Sequence, residues 1–378
     1  MHGPDKQEPL DVALFEPWYG GSHRAFADTY RARSGNRVRI FGLPPRHWSW
    51  RQEASAWELA RSAREAPPPD VVVVTDYVDL PRFLGFLPEA WRALPTVAYF
   101  HENQLTYPRD EDAAGAPQTH DRRAGFSNVL TAIRADALIF NSAFHRGDFA
   151  RAAGTLLAAL PRPNPRAELE EALARAHVVP PLPDLGCVPL GPGAPDGAPL
   201  RVLFPHRLEH DKDPVGFLHA LEEAGRERPV EAVLTGGDPA SSRPAVRDAL
   251  ERAGARVLSV GRIEERAAYL ERIGTCDAVA STAHHEFFGI AVAEALASGA
   301  APLLPDRLAY PELLEGRRAT EGGFGLVDDL AAALAAADVG IARDPEHRRA
   351  LRALALRHDA AGPRGARLLD RIVREAAR

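Results

Sequence analysis

Short apolar runs alternate with longer segments of helical periodicity along the first half of the chain. The runs are DVALFEP, RVRIFGLP, DVVVVTD, TVAYFHE and DALIFNS. Segments between them, such as HRAFADTYRARSG and SNVLTAIRAD, carry apolar residues at helical spacing. Strands that alternate with helices are typical of parallel βαβ units, so the pattern predicts a doubly wound sheet.

The same alternation restarts after residues 161–199, a proline- and glycine-rich segment that we interpret as a linker. The later apolar runs are LRVLFPHR, EAVLTGGD, RVLSVGR, DAVASTAH and AAPLLP. Two or three helices rich in alanine and arginine are predicted from Asp328 to Arg378. The chain is therefore predicted to be an α/β protein with two doubly wound domains facing a cleft, at residues 1–190 and 191–340, and C-terminal helices at 341–378.

Chain length and the longest apolar runs narrow the class of protein. At 378 residues the chain is long enough for two domains. Its longest apolar runs have strand length, and none approaches the roughly 20 residues of a membrane span. The N-terminus lacks the basic start and apolar stretch of a signal peptide. We expect a cytoplasmic protein without a membrane partner, and the sequence indicates no protein partner.

The chain is acidic overall but contains one strongly basic stretch. A net charge of −6 argues against a uniformly basic nucleic-acid binder. Residues 24–51, however, contain seven arginines against one acidic residue, Asp28, together with Trp48 and Trp50. Arginine with aromatic residues suits phosphate contact and stacking on unpaired bases. The alternative is a solvated arginine-rich surface around buried tryptophans.

Histidine is frequent enough to raise the question of a metal. The chain has 14 histidines and two cysteines, and the segments AHHE and HRLEH could supply ligands. Neither an HExxH motif nor a paired-cysteine spacing occurs. No metal is therefore expected.

Two acidic residues flank the start of a predicted helix in STAHHEFFGIAVAEALASG. Glu286 follows a predicted strand, and Glu294 lies inside the helix predicted from about Gly289 to Ser298. The free N–H groups and positive end of a helix form an anion site. One ligand could thus place a phosphate at the helix start and hydroxyl groups at each carboxylate. The alternative is two glutamates without a ligand.

Two further loops follow predicted strands, where ligands bind in open parallel sheets. In FPHRLEHDKDP, Arg207 and Lys212 could clamp a diphosphate, or they could simply pair with the acidic residues between them. In EPWYGGSHRAF, Gly20 and Gly21 permit close backbone approach to a ligand, and Ser22 could cap the next helix. An ordinary tight turn is the alternative for the glycine pair.

Four polar residues come directly after a hydrophobic strand in YFHENQLTYP, residues 99–108. Such a cluster is costly to bury without partners, so it faces solvent or lines a site. His101 could be a general base, a partner of sugar hydroxyls or a structural histidine. The nearby stretch from Asp110 to Gln118 is an insertion without an assignable role.

Together these motifs resemble the queuosine-tRNA mannosyltransferase family of retaining GT-B glycosyltransferases. The matching stretches, in order from residue 19 to 312, are YGGSH, WSWR, YFHENQLTYP, FNSAFH, HRLEHDKDP, STAHHEFFGIAVAEA and PDRLAYPE. The resemblance implies two Rossmann-like domains. It also implies that a nucleotide-sugar donor binds the C-terminal domain and the acceptor binds the N-terminal one.

The resemblance further implies residue roles. Arg207 and Lys212 would hold the donor diphosphate, Glu286 would contact the sugar hydroxyls, and Glu294 the nucleotide ribose. Gly20 and Gly21 would close over the diphosphate, with His101 near the sugar and the acceptor. The implied catalytic residues are His101, Glu286, Arg207 and Lys212. The implied donor-binding set is Gly20, Gly21, Arg207, Lys212, Glu286, Phe288, Gly289, Ile290 and Glu294. The implied acceptor-binding set is Ser22, His23, Trp48, Arg51, Glu102 and Asn103.

The family also implies GDP-mannose as donor and queuosine at the wobble position of aspartate tRNA as acceptor, with no cofactor and no metal. Two alternatives stay open. One is the same donor chemistry with a lipid or polysaccharide precursor as acceptor. The other is a catalytically inactive GT-B binding module.

Overall fold

The computed structural model describes residues 8–107, 119–320, 323–359 and 363–378, so the Asp110–Gln118 insertion lies outside the described residues. The described chain divides into two compact units. The first contains residues up to 183 together with the last helix, and the second contains residues 184–359.

The first unit is built on a six-stranded parallel sheet with the order β2-β1-β3-β4-β5-β6. Its strands are β1 (Asp11–Glu16), β2 (Arg37–Gly42), β3 (Val71–Thr75), β4 (Thr96–Phe100), β5 (Ala137–Phe140) and β6 (His177–Val178). Its helices before the boundary are α1 (Gly21–Arg33), α2 (Trp48–Arg64), α3 (Leu80–Phe86), α4 (Glu89–Arg92), α5 (Thr119–Arg134), α6 (Ala143–Ala158) and α7 (Arg166–Ala174). Two apolar cores, one on each face of the sheet, hold these layers together.

The second unit repeats the design, with the parallel order β12-β11-β10-β7-β8-β9. Its strands are β7 (Leu200–Phe204), β8 (Val230–Leu234), β9 (Val257–Val260), β10 (Ala278–Ala280), β11 (Ala301–Pro305) and β12 (Gly325–Val327). Its helices are α8 (Pro214–Glu227), α9 (Pro244–Ala253), α10 (Arg266–Gly274), α11 (Ile290–Ala297), α12 (Tyr310–Leu313), α13 (Leu330–Ala336), α14 (Val339–Arg343) and α15 (Pro345–Leu356). The final helix, α16 (Pro363–Ala376), belongs to the first unit.

Local sequence explains these elements. The run Val71–Thr75 is buried at all five positions, as expected for a strand covered on both faces by helices. Helix α8 begins with Pro214 just inside its start, and the Asp213 side chain accepts a hydrogen bond from the Gly216 N–H. All ten strands predicted from the apolar runs are present.

The structure differs from the sequence prediction in the linker and in the tail. The segment 161–199 is not a bare linker, because it contains α7 and the short strand β6, which pairs with β5. The boundary between the units falls at 183/184 rather than 190/191. The described residues of the tail 328–378 form four helices, and the last of them packs on the first unit rather than extending the second.

A buried polar cluster anchors α16 to the first unit. Asp370 accepts hydrogen bonds from the Tyr30 hydroxyl at 3.0 Å, the Ser34 hydroxyl at 2.6 Å, the Gly35 N–H at 2.7 Å and the Asn36 amide at 3.0 Å. Leu369, Ile372 and Val373 on the same helix join the core beneath the sheet. The C-terminal helix therefore completes the fold of the first unit.

Asp370→Ala should destabilise the protein by at least about 2 kcal/mol, since it leaves buried donors on Tyr30 and Asn36 without an acceptor. Urea-induced unfolding followed by circular dichroism measures the change. The control Glu375→Ala removes an exposed carboxylate from the same helix and should change stability by less than about 0.5 kcal/mol. Equal stability of the two variants would contradict the anchoring role.

Among the described residues, no helix combines the length and apolarity needed to cross a membrane.

Candidate active site

The loops of the second unit that carry the predicted donor residues meet at one point of the sheet. The strand order reverses between β7 and β10, and ligands of open parallel sheets bind at the carboxyl ends of strands flanking such a reversal. The loop after β7 carries Arg207 and Lys212, and the loop after β10 carries Glu286. Two hydrogen bonds join these loops. The Thr282 hydroxyl donates to the Lys212 carbonyl at 3.0 Å, and the His284 N–H donates to the Asp211 carbonyl at 2.8 Å.

Lys212 and Glu286 are in direct contact, 74 residues apart in sequence. The Lys212 ammonium lies 3.5 Å from Glu286 Oε2 and donates to the His285 carbonyl. The other carboxylate oxygen, Glu286 Oε1, accepts the Gly289 N–H at 3.1 Å. Both side chains are largely buried. The structure thus brings together two of the residues that the sequence predicted to act on one ligand.

The pair is charged. Burial alone would raise the pKa of Glu286, but Lys212, the nearby histidines and a backbone hydrogen bond from Phe288 together outweigh it, and the pKa is lowered. Burial likewise would lower the pKa of Lys212, and the carboxylates of Glu286 and Asp211 reverse the effect. The site therefore offers a fixed ammonium and a fixed carboxylate at neutral pH.

Arg207 is exposed and has acidic neighbours. Its guanidinium lies 3.0 Å from Glu209 and 4.0 Å from Asp211. Asp211 is buried and also lies 3.2 Å from the Lys212 ammonium, so it links the two predicted diphosphate ligands. The two basic residues therefore do pair with acidic residues, the alternative that the sequence left open. Both cations nevertheless lie in the loop after β7, at the carboxyl end of the sheet.

The helix after this loop begins at the predicted place. Gly289 precedes α11 with φ of 85°, a left-handed conformation that favours glycine, while Phe288 is buried and Ile290 is half-buried. Glu294, one turn further, accepts a 2.7 Å hydrogen bond from Arg266 of α10. Arg266 was missed from the sequence, because it lies 28 residues from its partner in a segment without a local signal.

His206 provides a pH test of this site. Burial, followed by the charge of Lys212, lowers the pKa of His206 to about 4. An unfolded histidine titrates near 6.5, so between pH 6.5 and 4 only the unfolded state gains the proton. Above pH 6.5 the protonation of His206 therefore does not oppose folding. As the pH drops from 6.5 to 4, the free energy of unfolding should fall by up to about 3 kcal/mol. His206→Asn should make the free energy of unfolding, measured by urea titration, less dependent on pH in this range. An unchanged pH dependence would contradict the assignment of the effect to His206.

The first unit carries a second polar cluster at the carboxyl ends of β1, β3 and β4. Glu16 ends β1, His23 lies in the first turn of α1, and His101 follows β4. Glu16 Oε2 is 3.1 Å from His23 Nδ1 and 3.9 Å from His101 Nε2, and the two imidazole rings are 4.2 Å apart. All three side chains are buried. His101, a predicted catalytic residue, and His23, a predicted acceptor ligand, are therefore neighbours.

The charges of this cluster are asymmetric. Burial would lower the pKa of His23, but the Glu16 carboxylate outweighs it and raises the pKa to about 9. Burial and the charge of His23 hold the pKa of His101 well below its usual range, so its ring is neutral. Burial raises the pKa of Asp76, which follows β3, to about 7. Glu16 and Asp76 were missed, although each is a polar residue at a strand end, the signal that singled out His101.

The residues after His101 are held by other parts of the first unit. Glu102 accepts a 3.0 Å hydrogen bond from the Tyr77 hydroxyl. Asn103 is fully buried and donates to Asp148 of α6 at 2.8 Å. Asn103 is thus a support of the loop, while Glu102 remains half-exposed beside the cluster.

The glycine pair has a conformational explanation. Gly21 has φ of 53°, and a Cβ on Gly20 would lie 2.4 Å from Pro45, so both positions require glycine within the fold itself. The predicted cap by Ser22 is wrong. Gly20 is the N-cap of α1, and Ser22 is an exposed residue of the first turn.

The predicted acceptor ligands on α2 differ from one another. Arg51 is buried, its guanidinium pairs with Glu58 and donates to the Pro44 carbonyl, and it is therefore a structural residue rather than an acceptor contact. The tryptophans are exposed, with relative exposure of 48% for Trp48, 57% for Trp50 and 45% for Trp57. The alternative of buried tryptophans in the basic stretch is therefore wrong for Trp48 and Trp50.

Known protein families match both units. Residues 11–182 match the family model described as tRNA-queuosine alpha-mannosyltransferase N-terminal, and residues 193–355 match the model described as glycosyl transferases group 1. The tRNA-queuosine alpha-mannosyltransferase of Drosophila melanogaster is 29% identical over 313 residues, which cover 80% of this chain and 81% of the relative.

Solved structures share the architecture at low identity. Sucrose-phosphate synthase from Thermosynechococcus elongatus superposes with a TM-score of 0.69 at 16% identity, covering 96% of this chain and 98% of that one. Anabaena HepE in complex with UDP and glucose gives a TM-score of 0.61 at 16% identity, covering 97% and 98%. S. aureus TarM gives a TM-score of 0.53 at 12% identity, and the superposition covers 81% of this chain but 54% of TarM. These likenesses establish the GT-B class of fold, with two Rossmann-like parallel-sheet domains.

Proposed function

The chain belongs to the tRNA-queuosine alpha-mannosyltransferase family of GT-B glycosyltransferases, and on that premise we propose that it transfers mannose from GDP-mannose to queuosine at the wobble position of aspartate tRNA. It is a glycosyltransferase, and a queuosine-modified tRNA is the acceptor that the named relative supports.

The observation that carries the proposal is the contact between Lys212 and Glu286 at the strand-order reversal of the second unit. Lys212 supplies a fixed positive charge, and Arg207 lies close enough to share Asp211 with it. Cations held in this way stabilise negative charge where it develops in the transition state. A nucleoside diphosphate is the leaving group that such a site favours.

The proposed reaction breaks the bond between the sugar C1 and the leaving phosphate oxygen, while an acceptor hydroxyl oxygen bonds to C1 on the same face. The leaving diphosphate takes the acceptor proton, so no protein base is required for the electron balance. Lys212 and Arg207 stabilise the diphosphate charge, and Glu286 orients the sugar hydroxyls. Glu294 binds the nucleotide ribose, and Arg266 holds its carboxylate in place. The diphosphate chemistry needs no metal in this scheme.

On the acceptor side, the proposal places the queuosine-bearing loop at the first unit. His101 presents a neutral ring at the end of β4, and Glu102 lies half-exposed next to it. Neutral imidazole and carboxylate can both accept hydrogen bonds from hydroxyl groups. The exposed Trp48 and Trp50 follow β2 at the same edge of this sheet and suit stacking on unpaired bases.

Mass spectrometry of the modified nucleoside tests the proposal. The purified protein is incubated with GDP-mannose and aspartate tRNA with or without queuosine, and the digested tRNA is examined for a nucleoside heavier by one hexose. An adduct that requires queuosine is expected. GDP release without an adduct would support the donor and refute the acceptor, directing the search to lipid or polysaccharide precursors. The absence of both GDP release and the adduct would refute the donor assignment.

A further inference from the structure

We propose that Glu16, His23 and His101 form a zinc-binding site in the first unit. Two histidines and one glutamate are a ligand set that zinc uses in proteins, with a fourth position left open for water or a substrate oxygen. The proposal goes beyond the donor scheme, which needs no metal. In the zinc-bound protein the ion would take the lone pair of His101, and the open zinc position would replace that ring as the contact for an acceptor oxygen.

The positions of the three side chains fit one ion. Their ligand atoms all lie within 4.8 Å of one another. Glu16 Oε2 is 3.1 Å from His23 Nδ1 and 3.9 Å from His101 Nε2. Zinc bonds of about 2.0–2.2 Å place tetrahedral ligands about 3.3–3.6 Å apart. The observed separations lie on either side of this range, so small side-chain rotations would complete the coordination.

The His101 ring has an unsatisfied nitrogen directed into the cluster. Its Nε2 is buried and has no hydrogen-bond partner among the described residues, and its closest charged neighbour is Glu16. A buried polar atom without a partner costs free energy, so a group that satisfies it is expected. The lone pair of a neutral imidazole is the form in which histidine binds metals.

The surrounding charge favours a cation. Three carboxylates lie in or beside the cluster, on Glu16, Asp76 and Glu102. Asp76 Oδ2 is buried without a hydrogen-bond partner among the described residues, while its Oδ1 accepts a hydrogen bond from the backbone N–H of His101 at 2.8 Å. Buried carboxylates are stable when they are paired or coordinate a metal. A zinc ion would take the place of the proton between Glu16 and His23, which leaves a neutral His23 ring as a ligand, and its charge would pair with these carboxylates.

The ligands are also positioned by rigid elements. Glu16 ends a central strand, His23 lies in the first turn of a 13-residue helix, and His101 follows another buried strand. The Glu16 carboxylate accepts the Trp18 N–H at 2.8 Å through its other oxygen, which leaves Oε2 directed at the histidines. Sites built in this way bind without a large ordering cost.

Direct measurement of bound zinc tests the proposal. The full chain is treated with a chelator, equilibrated with zinc chloride, desalted and analysed by inductively coupled plasma mass spectrometry, and its melting temperature is compared with and without zinc. About one zinc ion per chain and a higher melting temperature are expected, because a ligand that binds the native state stabilises it. No zinc uptake by the wild-type chain overturns the proposal, whatever its transferase activity.

Variants locate the ion. Glu16→Gln and His23→Asn should each weaken zinc binding by more than the roughly 10–100-fold that loss of an outer contact costs. His206→Asn is the matched control, since it removes a buried histidine with an unpartnered Nε2 from the second unit and should retain the zinc. Zinc retained at wild-type affinity in both cluster variants overturns the proposal. If those variants unfold, the visible spectrum of the cobalt-loaded wild type decides, with intense tetrahedral bands supporting the site and their absence overturning it.

Discussion

Glu286→Gln should lower the rate of mannose transfer by at least about 100-fold while the protein remains folded. Gln keeps the shape and can still accept the Gly289 N–H, but its amide donates where the carboxylate faced the Lys212 ammonium. The variant therefore loses the charge that pairs with Lys212 and the carboxylate that is proposed to accept hydrogen bonds from the sugar hydroxyls. Release of GDP and formation of the hexose adduct measure the two halves of the reaction.

The control for this variant is Glu264→Gln, because Glu264 is an exposed residue of the same unit that pairs with Arg262 on the surface. Its activity should stay within about twofold of the wild type. Lys212→Ala should weaken donor binding as well as slow the reaction, because in the proposed scheme it removes a charge that would face the diphosphate before and during transfer. Near-normal turnover of Glu286→Gln would remove that carboxylate from the active site.

Replacing Trp48, Trp50 and Trp57 together by alanine should weaken tRNA binding by about 10-fold or more. Stacking of one base on an aromatic ring is worth about 1–3 kcal/mol, and these rings are exposed. Trp50 and Trp57 are seven residues apart and share the outer face of α2, where the Arg61 guanidinium lies 5.2 Å from the Trp57 ring centroid. Fluorescence anisotropy with labelled tRNA at several salt concentrations measures the loss.

Arg33→Ala/Arg37→Ala is the matched control for the tryptophan variant. Both residues belong to the basic stretch 24–51 and are exposed. Arg37 begins β2, opposite Asp11 of β1, at the amino end of the sheet, whereas α2 follows the carboxyl end. Arg33 ends α1 at that same amino edge. The control should lower the affinity for tRNA by less than about threefold, and this small loss should shrink as the salt concentration rises, because it reflects general electrostatic attraction. A larger loss in the arginine variant than in the tryptophan variant would place the tRNA elsewhere on the unit.

The basic stretch illustrates how far a sequence pattern can lead. Read as a string, residues 24–51 look like one arginine- and tryptophan-rich surface. In the fold, strand β2 carries the stretch from the amino end of the parallel strands to their carboxyl end. Arg51 is moreover buried and pairs with Glu58 of the same helix. Sequence indicates which residue types are present, whereas the course of the chain decides which of them share a surface.

The sequence by itself determined the two α/β units, the ten principal strands and the loops that carry Arg207, Lys212 and Glu286, because strand and helix periodicities and strand-end motifs are local properties. Tertiary structure alone decided that α16 returns to the first unit through Asp370, that Arg266 holds Glu294, and that Glu16 meets His23 and His101. Apart from the contact of Glu16 with His23, those pairings join residues at least 28 positions apart in sequence. Their geometry follows from strand order and side-chain direction, which no local pattern records.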